Sequence, residues 1–468
     1  MRCVAGIDLG STTTKAVLLD PDGKIIGRGI TNSRSNYGVA CAVALEEAHI
    51  SARFHLLRRA LEASVGMDER ELQQLLDGLH GAFRLELYLA ELQELSSVID
   101  GFLRSPLRMA GQDALEQVVG DVFAAIHDGA PSLFARGAAR RSDFFRDIAG
   151  EAFMSAAERL APRRQVPFEQ VVGLYDRAIL RVETQQKPHD FAALLARATE
   201  RVMGDPELAD MPAAMRDTWQ AQIARVGAEE LEDVAFSGTG YGRQTLPFPK
   251  EVVRSEILCH GRGAHHVFPR TATVLDIGGQ DTKAIQIDGS GLVSTFQMND
   301  RCAAGCGRYL GYIADELNLG LHELGPLALK ARRVVKVNST CTVFAGAELR
   351  ERLALGEKRE DVLAGLHRSI MLRAMSLLAR SGGIKNEFTF TGGVGKNPMA
   401  TKVLRALVDE NYGKDVHINL DPDSIYMGAL GAALFALDDL HGGRAGILPT
   451  FATQAYLPMP NDGAVSCH

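Results

Sequence analysis

Three of the seven cysteines lie in two short segments, each directly before a stretch whose pattern predicts a helix. Cys302 and Cys306 stand four residues apart in the first segment, Asp300 to Tyr309, and Cys341 lies in the second, Ser339 to Phe344. Cysteines this close together commonly bind metal or carry out redox chemistry, whereas isolated cysteines are usually small buried hydrophobic residues. On this local evidence both interpretations stay open.

Two further segments carry an acid where it could meet a phosphate and its metal ion. Asp8 ends an apolar stretch and precedes a turn of glycine and hydroxyl residues, and Asp276 does the same later in the chain. Such a turn offers backbone N–H groups and hydroxyls to a phosphate while the carboxylate faces the metal. One such turn could be an ordinary surface hairpin, but two in one chain are much less expected by chance. The first turn and its flank contain Gly10, Ser11, Thr12, Thr13 and Lys15, and the second contains Gly278, Gly279, Gln280 and Thr282.

A third glycine-rich segment follows a predicted strand, Glu387 to Thr391. Gly392 and Gly393, directly after that strand, would let the backbone approach a ligand closely. Lys396 and Asn397 follow, and Asn397 could hydrogen-bond the ligand or cap the next helix. This segment is therefore the third candidate binding motif.

Two kinds of predicted structure carry these motifs. Strand patterns occur at residues 2 to 19, 24 to 29, 231 to 245 and 271 to 277, whereas apolar residues at helical spacing dominate from about Ala40 to Val226. A helix rich in small residues is predicted around Met427 to Phe435, where it would pack tightly. Prolines divide the long helical segment and predict five to eight helices; they are Pro106, Pro131, Pro162, Pro167, Pro188, Pro206 and Pro212.

Composition limits the class of protein. With 468 residues, of which 46% are hydrophobic and 23% charged, the chain is long enough for two or three domains. A net charge of −7 argues against a chain-wide nucleic-acid interface, and an odd number of scattered cysteines does not resemble a secreted disulfide framework. Asp8 would interrupt a signal peptide, and no run reaches the roughly 18 apolar residues of a membrane helix. We expect a cytoplasmic protein that binds neither nucleic acid nor membrane.

The order of the three motifs resembles the ATPase superfamily of actin, Hsp70 chaperones and sugar kinases. In that fold two ribonuclease-H-like α/β domains hold ATP between paired phosphate hairpins. The cysteine segments narrow the resemblance: Cys-Ala-Ala-Gly from Cys302 and Ser-Thr-Cys-Thr-Val-Phe around Cys341 are similar to the BadF/BadG/BcrA/BcrD-type ATPases. That family includes activases of 2-hydroxyacyl-CoA dehydratases and the ATPase subunits of benzoyl-CoA reductase. The resemblance covers about residues 1–40 and 230–440.

The resemblance implies an actin/Hsp70/sugar-kinase-like fold with a large all-helical insertion. The boundaries that we expect are as follows: residues 1–40 and 229–255 form the N-terminal ATPase subdomain, 41–228 the helical insertion, 256–420 the second ATPase subdomain with the cysteines, 421–440 a C-terminal helix that returns to the first subdomain, and 441–468 an irregular tail.

The same resemblance implies roles for the motif residues. Asp8 and Asp276 would hold Mg²⁺, directly or through water, and the two hairpins would bind the β- and γ-phosphates of ATP. Glu256, on the helix before the second hairpin, would orient the attacking water; a glutamate on a helix surface is the alternative. Catalysis would then rest on positioning and charge neutralisation. The residues that would border the adenosine are Gly392, Gly393, Lys396 and Asn397.

In this family each subunit of a dimer gives two cysteines to one shared [4Fe-4S] cluster, which carries over to Cys302 and Cys341. The two lie 39 residues apart (341 − 302), unlike a ferredoxin run that supplies its ligands locally, so a second subunit would complete the set of four thiolates. Helices that begin after both cysteines would favour the thiolates through their dipoles. Cys306 stands where the family usually has threonine; it is either an alternative ligand or a thiol beside the cluster.

The implied activity is electron activation. Reduced ferredoxin would supply an electron, and ATP binding and hydrolysis would move the cluster helices and pass that electron to a partner at a much lower potential. The long helical segment resembles the larger ATPase subunit of ATP-dependent benzoyl-CoA reductase. We therefore expect its dearomatising reductase subunits as partners, together with a second ATPase subunit in a homodimer or heterodimer. The helical segment would dock a reductase partner or order a hetero-oligomer.

Three alternatives stay open at this point. The chain could activate a 2-hydroxyacyl-CoA dehydratase as a transiently associating homodimer. It could be an Hsp70-like or actin-like binding protein that uses ATP to switch partners, with structural cysteines and no cluster. A sugar kinase is the third alternative, although the sequence carries no recognisable sugar-site motif.

Overall fold

The computed structural model describes residues 1–33, 36–64, 68–104, 111–138, 144–184, 189–204, 212–240, 247–299, 306–337 and 342–443. These residues divide into two compact units. The first unit contains the described residues up to His55 and from Glu230 onward, and it carries both β-sheets. The second unit runs from Leu56 to Glu229 and is helical wherever it forms regular structure in the described ranges.

The two sheets of the first unit repeat one arrangement. In each, an antiparallel hairpin is followed, on its other side, by a parallel strand that arrives much later in the chain. The strand orders are β3-β2-β1-β4 and β7-β6-β5-β8-β9. The strands are β1 (Arg2–Leu9), β2 (Thr13–Leu19), β3 (Ile25–Asn32), β4 (Glu232–Gly240), β5 (Thr273–Ile277), β6 (Thr282–Ile287), β7 (Val293–Asn299), β8 (Phe388–Thr391) and β9 (Ile418–Asn419).

Helices pack on both sheets and form the second unit. Those of the described ranges are α1 (Tyr37–Ser64), α2 (Glu69–Leu103), α3 (Gln112–Leu133), α4 (Phe145–Leu160), α5 (Phe168–Thr184), α6 (Phe191–Met203), α7 (Ala213–Gly227), α8 (Glu256–Val267), α9 (Gly307–Glu316), α10 (Leu321–Ala328), α11 (Thr342–Ala354), α12 (Arg359–Ser381), α13 (Pro398–Tyr412) and α14 (Met427–His441).

Glycines let α8 and α14 cross at close range beside the first sheet. A Cβ on Gly431 would lie 1.9 Å from the carbonyl oxygen of Cys259, and one on Gly263 would lie 2.1 Å from that of Met427. Both distances are far below van der Waals contact, so the glycines at these positions are required for the crossing. The C-terminal helix therefore packs tightly through its small residues, as the sequence predicts, and it lies against β1, β2 and β4.

The second unit is built around α2. The C-terminal half of α2 forms an apolar core with α3, α4 and α5, and Phe83 nearer its start packs against Phe191 of α6. Glu86, which is buried on α2, accepts hydrogen bonds from Arg197 and Arg201. This unit thus has its own hydrophobic core.

The predicted number of helices is confirmed, since the described residues from Tyr37 to Gly227 form seven α-helices. The break predicted at Pro131 is wrong: α3 continues through that residue to Leu133. Only two residues of helix follow the proline, so the missing N–H interrupts little of the helix. Pro106, Pro188 and Pro206 lie outside the described residues.

One helix of the described chain, α12, is long and apolar enough to cross a membrane by length and composition alone. Most of it is buried in the core that packs on the β7-β6-β5-β8-β9 sheet of the first unit, where Leu363, Leu366, Met371 and Leu378 are almost inaccessible to solvent. A mostly buried core helix of a globular domain can have the same length and apolar composition as a membrane-spanning helix.

Candidate nucleotide site

The two predicted phosphate hairpins meet each other in the first unit. A Cβ on Gly279, in the loop between β5 and β6, would lie only 2.2 Å from the hydroxyl of Thr12 in the loop between β1 and β2. Ser11, Thr13 and Gly10 lie in the first loop and its flanks, and none of them is fully buried. The candidate residues of the second loop, Gly278, Gly279 and Gln280, are likewise partly accessible, whereas Thr282 is buried at the start of β6.

Pairing in the two hairpins has the same register. Asp8 lies opposite Lys15 in the β1–β2 pair, and Asp276 lies opposite Lys283 in the β5–β6 pair. The parallel strands repeat as well, because Gly240, the last residue of β4, and Gly392, directly after β8, both approach the residue that follows the aspartate. A Cβ on Gly240 would lie 2.1 Å from Leu9 O, and one on Gly392, where φ is +87°, would lie 2.3 Å from Ile277 O. These glycines allow each parallel strand to end beside its aspartate.

The first hairpin is anchored by its backbone and leaves its lysine near the loop. Ser33 donates its N–H to Thr12 O at 2.8 Å and its hydroxyl to Gly10 O. Lys15 Nζ lies 3.6 Å from Asp8 Oδ2, and the Lys15 side chain is 12% exposed. An ammonium at the edge of a glycine-hydroxyl loop can meet a phosphate oxygen.

The second hairpin buries its lysine among three carboxylates. Lys283 Nζ lies 2.7 Å from Asp281 Oδ2, 3.0 Å from Glu256 Oε1 and 3.3 Å from Asp276 Oδ2, with a side-chain exposure of 2%. Burial disfavours the ammonium, but the three carboxylates outweigh it and raise the pKa of Lys283. This lysine therefore holds the acids of the second hairpin together.

The surroundings of Asp276 favour its charged form in spite of its burial. Burial opposes its carboxylate form, but His260, Lys283 and a hydrogen bond of 2.8 Å from Thr391 Oγ1 hold the pKa of Asp276 well below its usual range. Glu256 differs, because its burial outweighs the attraction of Lys283 and raises its pKa. A buried glutamate with a raised pKa is a better proton acceptor than an exposed one.

The donors at the base of the hairpins fit a divalent cation. Asp8 is 2% exposed, and its Oδ1 is a buried oxygen that has no hydrogen-bond partner in the described chain. The ligand atoms of Asp8, Glu256 and His260 all lie within 4.8 Å of one another. Carboxylate oxygens are the ligands that Mg²⁺ prefers, so Asp8, with Asp276 across the site, offers suitable chemistry for the expected Mg²⁺.

Helix α9 begins directly on the second hairpin. Gly307 and Arg308 donate their backbone N–H groups to Gly278 O and Gly279 O, each at 2.8 Å. Cys306, the N-cap residue of α9, is buried, and its Sγ lies 3.4 Å from Thr282 Oγ1. The first turn of α9 is thus bonded to the loop that is predicted to bind phosphate.

The two predicted cluster ligands, Cys302 and Cys341, lie outside the described residues. Helices do begin after both cysteines, as predicted: α9 begins at Gly307 and α11 begins at Thr342, directly after Cys341. Cys306 Sγ faces Thr282 in the second hairpin.

The third motif also joins this region. Val394 belongs to this motif, since it stands between Gly393 and Lys396 in the chain. A Cβ on Gly307 would lie 3.6 Å from the Val394 side chain, so the turn after β8 lies beside the start of α9. Gly393 and Lys396 are exposed. Of the two roles left open for Asn397, the described contacts show the cap: its Oδ1 accepts from Met399 N and Ala400 N, the first turn of α13.

Four residues of this site were missed by reasoning from the sequence: His260, Asp281, Lys283 and Thr391. Asp281 and Lys283 stand inside the second motif, and the recurrence of Lys15 at the position of Lys283 was a usable signal. Thr391 is the last residue of β8 and reaches Asp276 only because β8 pairs with β5. No local pattern pointed to His260, because α8 brings it to the site from outside both hairpins.

Comparison with known proteins identifies the family. Residues 5–436 match the BadF/BadG/BcrA/BcrD ATPase family. The activating ATPase of (R)-2-hydroxyglutaryl-CoA dehydratase from Acidaminococcus fermentans is 42% identical over 206 residues, which are 44% of this chain and 76% of that protein. One of the subunits of benzoyl-CoA reductase from Thauera aromatica is 33% identical over 212 residues, which are 45% of this chain and 73% of that protein.

The fold agrees with this assignment. The crystal structure of component A of the Acidaminococcus fermentans dehydratase covers 94% of this chain and 100% of its own, with a TM-score of 0.50 and 22% identity. The expected actin/Hsp70/sugar-kinase-like ATPase fold is therefore confirmed. With a family match over most of its length and relatives above 30% identity, the chain belongs to the BadF/BadG/BcrA/BcrD ATPase family.

Proposed function

We propose that this ATPase is an electron-activating subunit that couples ATP hydrolysis to the delivery of a low-potential electron to a partner acting on a CoA thioester. The observation that carries the proposal is the bonding of α9 to the second hairpin. The N–H groups of Gly307 and Arg308 are held by the carbonyls of Gly278 and Gly279, so the helix that follows Cys302 is tied to the loop that would hold phosphate. A movement of that loop would therefore move the start of α9 or break the two hydrogen bonds.

In this proposal the residues of the site divide the work of hydrolysis. Asp8 and Asp276 hold Mg²⁺, and Lys15 with the hydroxyls and N–H groups of the two loops neutralises the phosphate charge. Glu256, held at 3.0 Å by Lys283 and with its pKa raised by burial, orients the attacking water and accepts its proton.

The coupling step uses contacts of the described residues. Two backbone hydrogen bonds and the contact between Cys306 Sγ and Thr282 Oγ1 join α9 to the second hairpin. If contacts to the γ-phosphate move Gly278 and Gly279, α9 must either move with them or lose these two hydrogen bonds. Lowering a one-electron potential by about 300 mV costs roughly 7 kcal/mol. A few altered hydrogen bonds, at about 1 kcal/mol each, do not supply that energy, whereas ATP hydrolysis can.

Cys302 and Cys341 are the proposed ligands of a [4Fe-4S] cluster shared with a second ATPase subunit. Four thiolates are the usual ligand set of such a cluster, which would supply one-electron storage between the two subunits. The helices that begin after each cysteine support this assignment, since a helix N-terminus stabilises a thiolate.

For the partner we propose the reductase subunits of an ATP-dependent benzoyl-CoA reductase, with ferredoxin as the electron donor. Support comes from the similarity to the Thauera aromatica reductase protein and from the second unit, a helical unit with its own core that is the proposed docking element for a reductase. The second candidate is activation of a 2-hydroxyacyl-CoA dehydratase. The identity values favour it, at 42% for the dehydratase activator against 33% for the reductase protein.

Anaerobic purification of the full chain tests the proposal. We expect a brown protein with about two iron atoms per chain, because two chains would share four irons. Cys302→Ala and Cys341→Ala should each lose the iron, whereas Cys306→Ala, the matched control from the same segment, should keep it. An iron-free wild-type protein that still hydrolyses ATP would contradict the proposal and favour an ATP-switched binding protein.

Two observations distinguish the two partner candidates: which subunits co-purify with the protein, and which CoA thioester is converted. Reductase subunits that co-purify, together with ATP-dependent reduction of benzoyl-CoA, support the first candidate. A protein that purifies alone, and supports dehydration of a 2-hydroxyacyl-CoA when dehydratase subunits are added, supports the second.

A further inference from the structure

One ring nitrogen of a buried imidazole at the base of the site, His260 Nδ1, makes no hydrogen bond within the described chain. His260 on α8 is 5% exposed. Its Nδ1 lies 3.4 Å from Asp276 Oδ1 but makes no hydrogen bond, and its Nε2 lies 4.0 Å from Asp8 Oδ2. Asp276 thus lies beside Nδ1, which leaves Nε2 as the nitrogen that faces Asp8, and a carboxylate beside the other ring nitrogen is usual for a histidine that binds a metal.

Space beside the imidazole is kept open by a glycine. Gly428, in the first turn of α14, faces both donors: a Cβ there would lie 2.8 Å from Asp8 Oδ2 and 2.9 Å from His260 Nε2. Any side chain at this position would therefore occupy the space between the carboxylate and the imidazole. The open space lies where a shared ligand of these two groups would sit.

We infer that Asp8, Glu256 and His260 form a binding site for a divalent transition-metal ion. Their ligand atoms lie within 4.8 Å of one another, and Asp8 Oδ1 has no hydrogen-bond partner in the described ranges. Metal bonds to nitrogen and oxygen of about 2.1 Å set tetrahedral ligands roughly 3.4 Å apart. The 4.0 Å between Asp8 Oδ2 and His260 Nε2 thus needs only a small closure.

The donor set decides the kind of metal. Mg²⁺ prefers oxygen ligands, whereas an imidazole nitrogen suits the ions of the transition series and zinc. The site therefore differs from the expected Mg²⁺ site of Asp8 and Asp276, although the two share Asp8. Because Asp8 and Glu256 also serve the proposed function, a metal bound here would compete with MgATP. That consequence rests on the proposed function, whereas metal binding itself does not.

Electron spin echo spectroscopy of Mn²⁺ added to the nucleotide-free, full-length protein tests the inference. Mn²⁺ is the probe because thiolates compete poorly for this hard ion. The wild-type spectrum should show the nitrogen coupling of a directly bound imidazole. His260→Gln should lose that coupling and bind Mn²⁺ at least about tenfold more weakly, since even the loss of a group that only orients a metal ligand has an effect of that size.

Two further variants sharpen the result. Gly428→Ala, whose methyl group would fill the space between Asp8 and His260, should also weaken binding. His265→Gln, on the same helix but outside the cluster, is the matched control and should keep the nitrogen coupling. A wild-type spectrum without nitrogen coupling, or a coupling that survives in His260→Gln, would overturn the inference. Iron content and ATP hydrolysis do not enter this measurement, so its failure is distinct from failure of the proposed function.

Discussion

The two predicted phosphate hairpins have the same strand register, but their lysines lie in different surroundings. Lys15 in the first hairpin reaches one carboxylate, Asp8, at 3.6 Å and retains some exposure. Lys283, at the matching position of the second hairpin, is 2% exposed and lies within 3.3 Å of Asp276, Glu256 and Asp281. Lys15 is therefore accessible to a ligand, whereas Lys283, at the same register, is fully engaged in ion pairs within the protein.

This difference extends to the surroundings of each hairpin. On the second side, Asn397 caps α13 and donates to His367 Nε2 at 2.9 Å, and the carbonyls of Gly278 and Gly279 accept from α9. These polar groups of the second hairpin and of the turn after β8 are thus bonded within the protein. In the proposed function the second hairpin would therefore transmit movement to α9, whereas Lys15 of the first hairpin would supply charge for the phosphate.

The largest effect should come from removing the buried lysine. Lys283→Met leaves three carboxylates together without their cation, and breaking a buried ion pair in this way costs about 3–5 kcal/mol. We expect the unfolding transition of the first unit to fall sharply in a thermal scan. A transition that stays within a degree or two of the wild type would show that Lys283 does not hold this side together.

Lys15→Met should give the opposite outcome. Its partial exposure and single 3.6 Å pairing predict a smaller loss of stability than that of Lys283→Met. Loss of one preorganised donor at a reacting phosphate, however, should lower the rate of ATP hydrolysis by roughly 100-fold or more. Hydrolysis rates and thermal scans of the two lysine variants side by side provide the check; if both lose stability equally, the contrast between the hairpins fails.

A third prediction concerns pH. Burial outweighs the hydrogen bonds to Leu363 and Asn397 and lowers the pKa of His367 below its usual 6.5. The unfolded chain therefore takes up a proton before the folded one does, and stability that is complete above pH 6.5 is lost as the pH falls below it. The slope should reach about 1.4 kcal/mol per pH unit. Urea unfolding from pH 7 to pH 5 measures it.

The control for this prediction is His367→Gln, which has no proton to gain. Its stability should change less with pH over the same range, and the difference between the two slopes isolates His367 from the other histidines. Equal slopes would mean that His367 is not the buried neutral group described here.

The smallest effect should come from the contact between α9 and the hairpin. Cys306→Ala removes the partner of Thr282 Oγ1 and should lower the free energy of unfolding by about 1 kcal/mol or less. Cys306→Thr replaces the thiol by a hydroxyl that can take its place as the partner. Hydrogen exchange of α9 with and without MgATP should show a nucleotide effect that is weaker in the alanine variant and kept in the threonine variant. An identical response in both would remove Cys306 from the coupling.

The sequence predicted those parts of the site that are local in the chain. An acid, a glycine-hydroxyl turn and a lysine within eight residues form a hairpin through neighbouring contacts, so both hairpins could be predicted from their residues. The family could be inferred because the cysteine segments are likewise local in the chain. The small-residue pattern of α14 likewise predicted close helix packing, because the glycines themselves are the cause.

Tertiary contacts account for the rest. Glu256 and His260 reach the site from α8, and Thr391 reaches Asp276 through a parallel strand that begins more than 100 residues later. No spacing rule could pair them. The choice between ligand contact and helix cap for Asn397 also depended on α13 and His367. Cys302 and Cys341 as cluster ligands stay a prediction, since they lie outside the described residues.

The central claim is that nucleotide binding at the hairpins is felt at the cluster. Electron paramagnetic resonance of the reduced, anaerobically purified protein, with and without MgATP, tests it most directly. We expect a cluster signal whose line shape changes when MgATP is added to the wild type and changes far less in Lys15→Met. A protein with no cluster signal, or with a signal that MgATP leaves unchanged, would contradict the account.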